Sequence, residues 1–203
     1  MKSPAPSLLL QHLADLKLPF VEAQHTEMAQ QAAQHHWDHV EYLRRLMEGE
    51  YTQRRQRVIE RRVKAARFPV LKTLEQFRWD WPKKINRLQV QNLFRLEFVA
   101  KKGNVILLGN VGLGKTHLAT ALGYAACQEG HSVLFADAIG VINDLSTAHK
   151  RSELKHQLRK HLTPEMLVLD EVLILILIRI CFSTFLGDTY LAVGLACNAS
   201  FWI

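Results

Sequence analysis

The stretch Gly109-Asn110-Val111-Gly112-Leu113-Gly114-Lys115-Thr116 limits what this chain can fold into more than any other. It matches G-x-x-x-x-G-K-[ST], whose glycines let the backbone curl until successive amide N–H groups point inward at a polyphosphate. Its flanks fit that use. Val105 to Leu108 is a short apolar run that reads as a buried strand, and good helix formers follow from Lys115 to about 129. A helix starting at the loop adds the positive end of its dipole to the anion site. Lys115 is then expected to reach the β and γ phosphates of ATP, and the Thr116 hydroxyl to ligate Mg2+. Gly109, Asn110, Val111, Gly112, Leu113, Gly114, Lys115, Thr116 and the adjoining His117 make up the expected cofactor-binding set, with His117 suited to packing on the helix rather than to chemistry. The alternative, a glycine-rich turn that binds nothing, is disfavoured by the strand and helix on either side.

Met166-Leu167-Val168-Leu169-Asp170-Glu171 reads as the second half of the same site. Four apolar residues of a buried strand deliver two carboxylates to the sheet edge where the loop lies. Asp170 is expected to hold the magnesium shell, and Glu171 to orient and deprotonate the attacking water. Lys115 and Glu171 are thus the catalytic candidates, Thr116 and Asp170 the metal candidates. Val133 to Ala136 supplies a third strand, and helical stretches near 115–129, 138–148 and 151–162 alternate with the strands. That alternation predicts an α/β fold with a parallel sheet, the three-layer arrangement of a P-loop NTPase, over residues 104–172.

Residues 1–70 read differently, as a basic helical arm, and 71–103 as a connecting segment. Apolar Val40, Leu43 and Met47, then Ile59, Val63 and Ala66, recur at three- and four-residue spacing, so these rows are expected to form the packing face, with Gly49 as the one later breaker. Charge is uneven. Residues 1–103 carry 19 Lys+Arg against 11 Asp+Glu, while 104–203 carry 7 against 8, so the first half is the candidate for an acidic polymer. Arg54, Arg55, Arg57, Arg61, Arg62, Lys64 and Arg67 concentrate that charge; they are expected to meet the phosphate backbone of double-stranded DNA without reading sequence, against the alternatives of a solvated helix face or a protein partner. In the connecting segment, Phe77, Trp79 and Trp81 lie where they can pack near an adenine or simply enter the core, and Val90 to Phe98 is a second amphipathic stretch.

Tyr51-Thr52-Gln53-Arg54-Arg55, the run Arg61 to Pro69, and Gly109 to Thr116 continued by His117-Leu118-Ala119 resemble the IstB family of transposition ATP-binding proteins. That family is similar to the DnaC-type helicase loaders within the AAA+ ATPases. The resemblance covers roughly residues 1–172, with basic helix, loop and acidic pair in family order. It implies a helper ATPase that assembles on DNA and works with a transposase. It also implies, beyond the acidic pair, a polar residue sensing the γ-phosphate and an arginine acting across subunits. Nothing in the sequence of 173–203 matches these.

In the strand order that the resemblance implies, the fourth strand lies between the loop strand and the acidic strand, so the sheet is expected to be incomplete there. Residues 173–203 form a hydrophobic tail whose fold the sequence does not assign. It reads as out-of-frame sequence on a truncated gene, which would impair hydrolysis; as a membrane segment, though the apolar run to Leu186 contains Arg179 and is shorter than the ~20 residues a span needs; or as a replacement strand drawn from Leu173 to Ile180. Cys127, Cys181 and Cys197 form no C-x-x-C pair, which suits a reducing cytoplasm, and no secretory signal is read at the N-terminus. His35 and His39 offer an i, i+4 pair with His36 beside it, which lacks a completing carboxylate or thiolate and reads as a surface helix.

Overall fold

The computed structural model describes residues 5–80, 85–171 and 191–195. The chain divides into two compact units, residues 1–60 and 61–203.

The first unit holds helices α1 (Ala5–Asp15) and α2 (Pro19–His35) and most of α3 (His39–Ala66). Its core is Leu13, Val21 and Leu46, with Leu18, Met28 and Tyr42 packed around them. Of the expected packing face of α3, the later row holds, with Ala66 fully buried and Val63 packed on the core of the second unit, but the earlier row does not. Leu46 is 4% exposed, whereas Val40 is 75% and Leu43 56% exposed, and Met47 lies on the surface with them. One residue along a helix is a rotation of about 100°, so the buried row through Tyr42, Leu46 and Glu50 is turned by that angle from the apolar stripe.

The physical reason lies in α2. Its N-terminal N–H groups are orphans, and Leu18 at the N-cap offers no side chain to them. The buried Glu50 carboxylate accepts from Phe20 N at 2.8 Å and Val21 N at 3.4 Å, so a charged residue, not Met47, takes the inner face. Tyr42 Oη donates to the His25 carbonyl from the same row. Gly49 does not break α3. A Cβ there would stand 2.0 Å from the Phe20 ring, so glycine lets α3 and α2 approach. His35 and His39 fall on different helices, because α2 ends at His35 and His36 takes a left-handed conformation; the i, i+4 geometry does not exist. Among the described residues no group of three or more His, Cys, Asp or Glu is placed to hold a metal.

The second unit is an α/β sheet of four strands: β1 (Val105–Leu108), β2 (Val133–Asp137), β3 (Met166–Asp170) and β4 (Leu191–Leu195). All pairings are parallel, in the order β1-β4-β3-β2. The three strands and three helices expected between 104 and 171 are present, the helices being α6 (Lys115–Gln128), α7 (Ala138–Lys150) and α8 (Leu154–Leu162). β3 is buried on both faces, as a central parallel strand must be. Met166 and Val168 join Val133 and Phe135 beneath Leu118, Ala119, Leu122 and Ala126 of α6. Leu167 and Leu169 turn the other way, to Leu134, Ala138 and Val141 of β2 and α7. This is the three-layer P-loop fold, with one strand between the loop strand and the acidic strand.

The expected gap in the sheet is absent. Residues 191–195 pair with β1 from Val105↔Ala192 to Leu108↔Leu195 and with β3 from Leu167↔Leu191 to Leu169↔Val193. An empty position would leave two rows of backbone donors and acceptors unpaired inside the sheet, and an uncharged five-residue segment removes that cost. The Leu173–Ile180 segment lies outside the described residues. Before β1, the short helices α4 (Arg87–Leu93) and α5 (Glu97–Ala100) replace the single amphipathic stretch, separated at Leu96, whose φ is +57°. No helix among the described residues is long and apolar enough to cross a membrane.

Candidate functional site

β1 ends directly in the loop, and α6 starts at Lys115 with Gly114 as its N-cap. Gly112 and Gly114 have φ of +82° and +83°, the left-handed region that favours glycine. At Gly114 a second constraint acts. A Cβ there would lie 2.7 Å from Phe77, so the connecting segment closes on the loop at a residue that must have no side chain. Phe77 is buried and meets Trp79 edge-on at 5.0 Å and the His117 ring at 5.4 Å. His117 Nε2 donates to the Thr73 carbonyl at 2.9 Å, so its ring ties the first turn of α6 to residues 73–77. Trp81 lies outside the described residues.

Lys115 Nζ donates to the Asn110 carbonyl at 2.8 Å, which holds the ammonium over the mouth of the loop. Thr116, one residue on, donates through Oγ1 to Asp170 Oδ1 at 3.2 Å. These two oxygens come from elements 54 residues apart, and the sheet order is what joins them. β1 and β3 flank β4, so the start of α6 and the end of β3 open on one edge. A hydroxyl and a carboxylate oxygen this close are hard donors of the kind Mg2+ takes alongside substrate phosphates, so the residues fit the metal. Glu171 follows with φ +58°, a left-handed conformation uncommon for a side chain of its kind, and its carboxylate is exposed.

Asp137 lies beside Asp170 in the β2–β3 register, yet its carboxylate has another task. It accepts from Ile139 N at 3.1 Å and Gly140 N at 2.7 Å as the N-cap of α7. An Asp just before a helical run is the sequence signal for this role. Cys127 is buried, and burial pushes its thiol up to about 11, so it is an unreactive core residue.

The seven basic candidates on and after α3 fall into two groups. Arg54 donates to the Lys17 carbonyl and faces Glu50 at 3.8 Å, and Arg57 donates to Gln53. Arg62 lies against the C-terminal end of α6, where a Cβ on Gly130 would be 3.6 Å from its Nη1, a favourable place for a cation. Arg67 acts on the buried His161 ring. His161 is held below the usual histidine range by burial first, then by Lys160, and more weakly by Arg67, while Asp144 opposes the shift. Arg55, Arg61 and Lys64 are exposed and make no side-chain ion pair or hydrogen bond with the described residues.

Residues 11–181 match the family of IstB-like ATP binding proteins. The chain belongs to that family. A Pseudomonas aeruginosa protein named for insertion sequence IS21 and ATP binding is 39% identical over 160 residues, which is 79% of this chain and 60% of that protein. A Geobacillus stearothermophilus protein named for insertion sequence IS5376 and ATP binding is 31% identical over 157 residues, 77% of this chain and 62% of its own. This chain therefore spans about 60% of the length of these curated relatives. A solved DNA replication initiation factor superposes on 63% of this chain and 41% of its own, with TM-score 0.46 and 23% identity. Family membership thus rests on a match that takes in the loop, the acidic strand and most of the helical arm.

Proposed function

We propose that this chain is an ATP-binding helper of insertion-sequence DNA transposition, working in the cytoplasm. In this reading Gly109 to Thr116 hold the triphosphate, Lys115 sits on its β and γ groups, and Thr116 and Asp170 hold Mg2+. His117 belongs to the site as the residue that fixes the start of α6 to the segment around Phe77. The basic end of α3 meets double-stranded DNA or the transposase, through Arg55, Arg61 and Lys64 first because their charges are unpaired among the described residues. Self-assembly on DNA is part of the same reading.

The observation that carries it is the 3.2 Å approach of Thr116 to Asp170 at the edge where the loop opens. Mg2+ held by Thr116 and Asp170 would supply charge neutralisation to the triphosphate. The protein supplies the rest: inward N–H groups at the loop, the Lys115 ammonium, and a carboxylate at Glu171 placed to accept a proton from water.

Equilibrium binding of labelled ATP with Mg2+ to wild type and Lys115→Ala tests the claim. Removing one charge of a desolvated pair costs about 2–5 kcal/mol, so the variant is expected to bind at least about 30-fold more weakly. Equal retention by both proteins would refute the nucleotide site and leave a DNA- or transposase-binding adaptor.

A further inference from the structure

The half of the chain that carries the nucleotide site is nearly neutral, with 7 Lys+Arg against 8 Asp+Glu in residues 104–203. Its cations are not spread out. Five of the seven, Lys150, Arg151, Lys155, Arg159 and Lys160, fall within residues 150–160, at the end of α7 and along α8. All five are exposed. None makes a side-chain ion pair or hydrogen bond with the described residues. One acid, the exposed Glu153 at the N-cap of α8, lies within this run, leaving a net charge of +4 over residues 150–160. Asp144 of α7 is engaged, accepting from Gln157 of α8 at 3.0 Å, a bond that also fixes the two helices to each other.

Helix stability accounts for only part of this charge. Lys150, Arg159 and Lys160 lie in last turns, where a cation suits the helix dipole. Lys155 lies in the first turn of α8, where the dipole opposes it and where the only acid at the helix start is the N-cap Glu153, whose side chain makes no cap hydrogen bond. Lys155 and Arg159 are also spaced i, i+4, a like-charge repulsion along one side of the helix. The inward row of α8 is Leu154, Leu158 and the buried His161, so these charges are held outward by packing beneath them. Such an arrangement costs the isolated protein and is relieved by a polyanion.

We infer that the α7–α8 surface is a second phosphate-backbone contact for duplex DNA, formed by Lys150, Arg151, Lys155, Arg159 and Lys160 on the nucleotide-binding unit itself. It rests on the reading that the protein acts on DNA. The one amide within the run, Gln157, is engaged with Asp144, and a cluster of cations of this kind fits backbone contact without sequence readout. α7 begins at the sheet edge that carries the loop and runs 13 residues, about 20 Å, so the patch starts well away from the nucleotide. Arg67, just after α3, acts on the same His161 ring as Lys160, so these two cations of the second unit share one neighbourhood.

The test is the salt dependence of binding to a 30-base-pair duplex by the full chain, for wild type, for Lys155→Gln/Arg159→Gln/Lys160→Gln, and for Arg55→Gln/Arg61→Gln/Lys64→Gln. Each lost phosphate contact lowers the slope of log K against log salt by about 0.9, so the α8 variant is expected to lose about 2.7. Its ATP affinity and thermal unfolding should match wild type, and Lys155→Arg/Arg159→Lys/Lys160→Arg should keep the full slope. An unchanged slope in the α8 variant with a reduced slope in the α3 variant overturns this inference and leaves the DNA reading standing. Unchanged slopes in both overturn the two together. A slope loss seen only with a single-stranded 30-mer overturns the duplex assignment.

Discussion

The loop of residues 109–116 and the first half of helix α3 were both legible as motifs, yet only the loop was legible as packing. In the loop every constraint is local. Gly112 and Gly114 supply left-handed φ values, β1 and α6 adjoin directly, and the residues that meet phosphate are neighbours in sequence. In α3 the deciding partner is 30 residues away. The apolar spacing of Val40, Leu43 and Met47 describes a good packing face, but α2 needs an acceptor for Phe20 N–H, and Glu50 turns the helix to provide it. Hydrophobic periodicity shows that a helix can pack. It does not show which side wins when a buried hydrogen bond competes.

The sharpest way to break this comparison is Glu50→Ala. Leaving the α2 donors without their buried acceptor should cost the first unit about 1–3 kcal/mol, read as a lower denaturation midpoint of residues 1–60 by hydrogen exchange. A change too small to measure there would return α3 to its apolar stripe.

A smaller effect is expected in the second unit, at His161, whose two ring nitrogens are buried without a partner. Its folded pKa lies below the ordinary 6.5, chiefly through burial, so the neutral ring is the folded form. The unfolded chain takes up the proton first as pH falls, and stability present above about 6.5 is lost below it. His161→Leu should therefore gain about 1 kcal/mol at pH 7.5 and flatten the loss between pH 6.5 and 5.5. A variant that melts with the wild-type pH dependence would remove His161 from the account. The smallest effect belongs to the exposed stripe: Leu43→Ser should change unfolding by less than about 0.5 kcal/mol, where a core residue would cost several times more.

The same contrast separates what was readable in the site from what was not. Strands at 105–108, 133–136 and 166–169 announced themselves as apolar runs between helices, and their parallel order follows from the alternation. The partner that fills the sheet, Leu191–Leu195, could not be read, because its tail shows neither helical periodicity nor a strand alternation that would leave a polar face. Phe77 was read as either adenine contact or core; its closure on Gly114 depends on a glycine 37 positions away. Asp137 carried a usable signal, and the basic patch of α7 and α8 was hidden only by averaging charge over a hundred residues.

The pair Thr116 and Asp170 is where the local and the long-range parts of the molecule meet, and it is the most direct target. ATP affinity should be measured with and without Mg2+ for wild type and Asp170→Asn. Wild type is expected to bind at least about tenfold more tightly with the metal, about 1.4 kcal/mol, and the variant to bind almost equally in both conditions. The same magnesium-dependent gain in Asp170→Asn would contradict the assignment of that 3.2 Å pair as the metal seat.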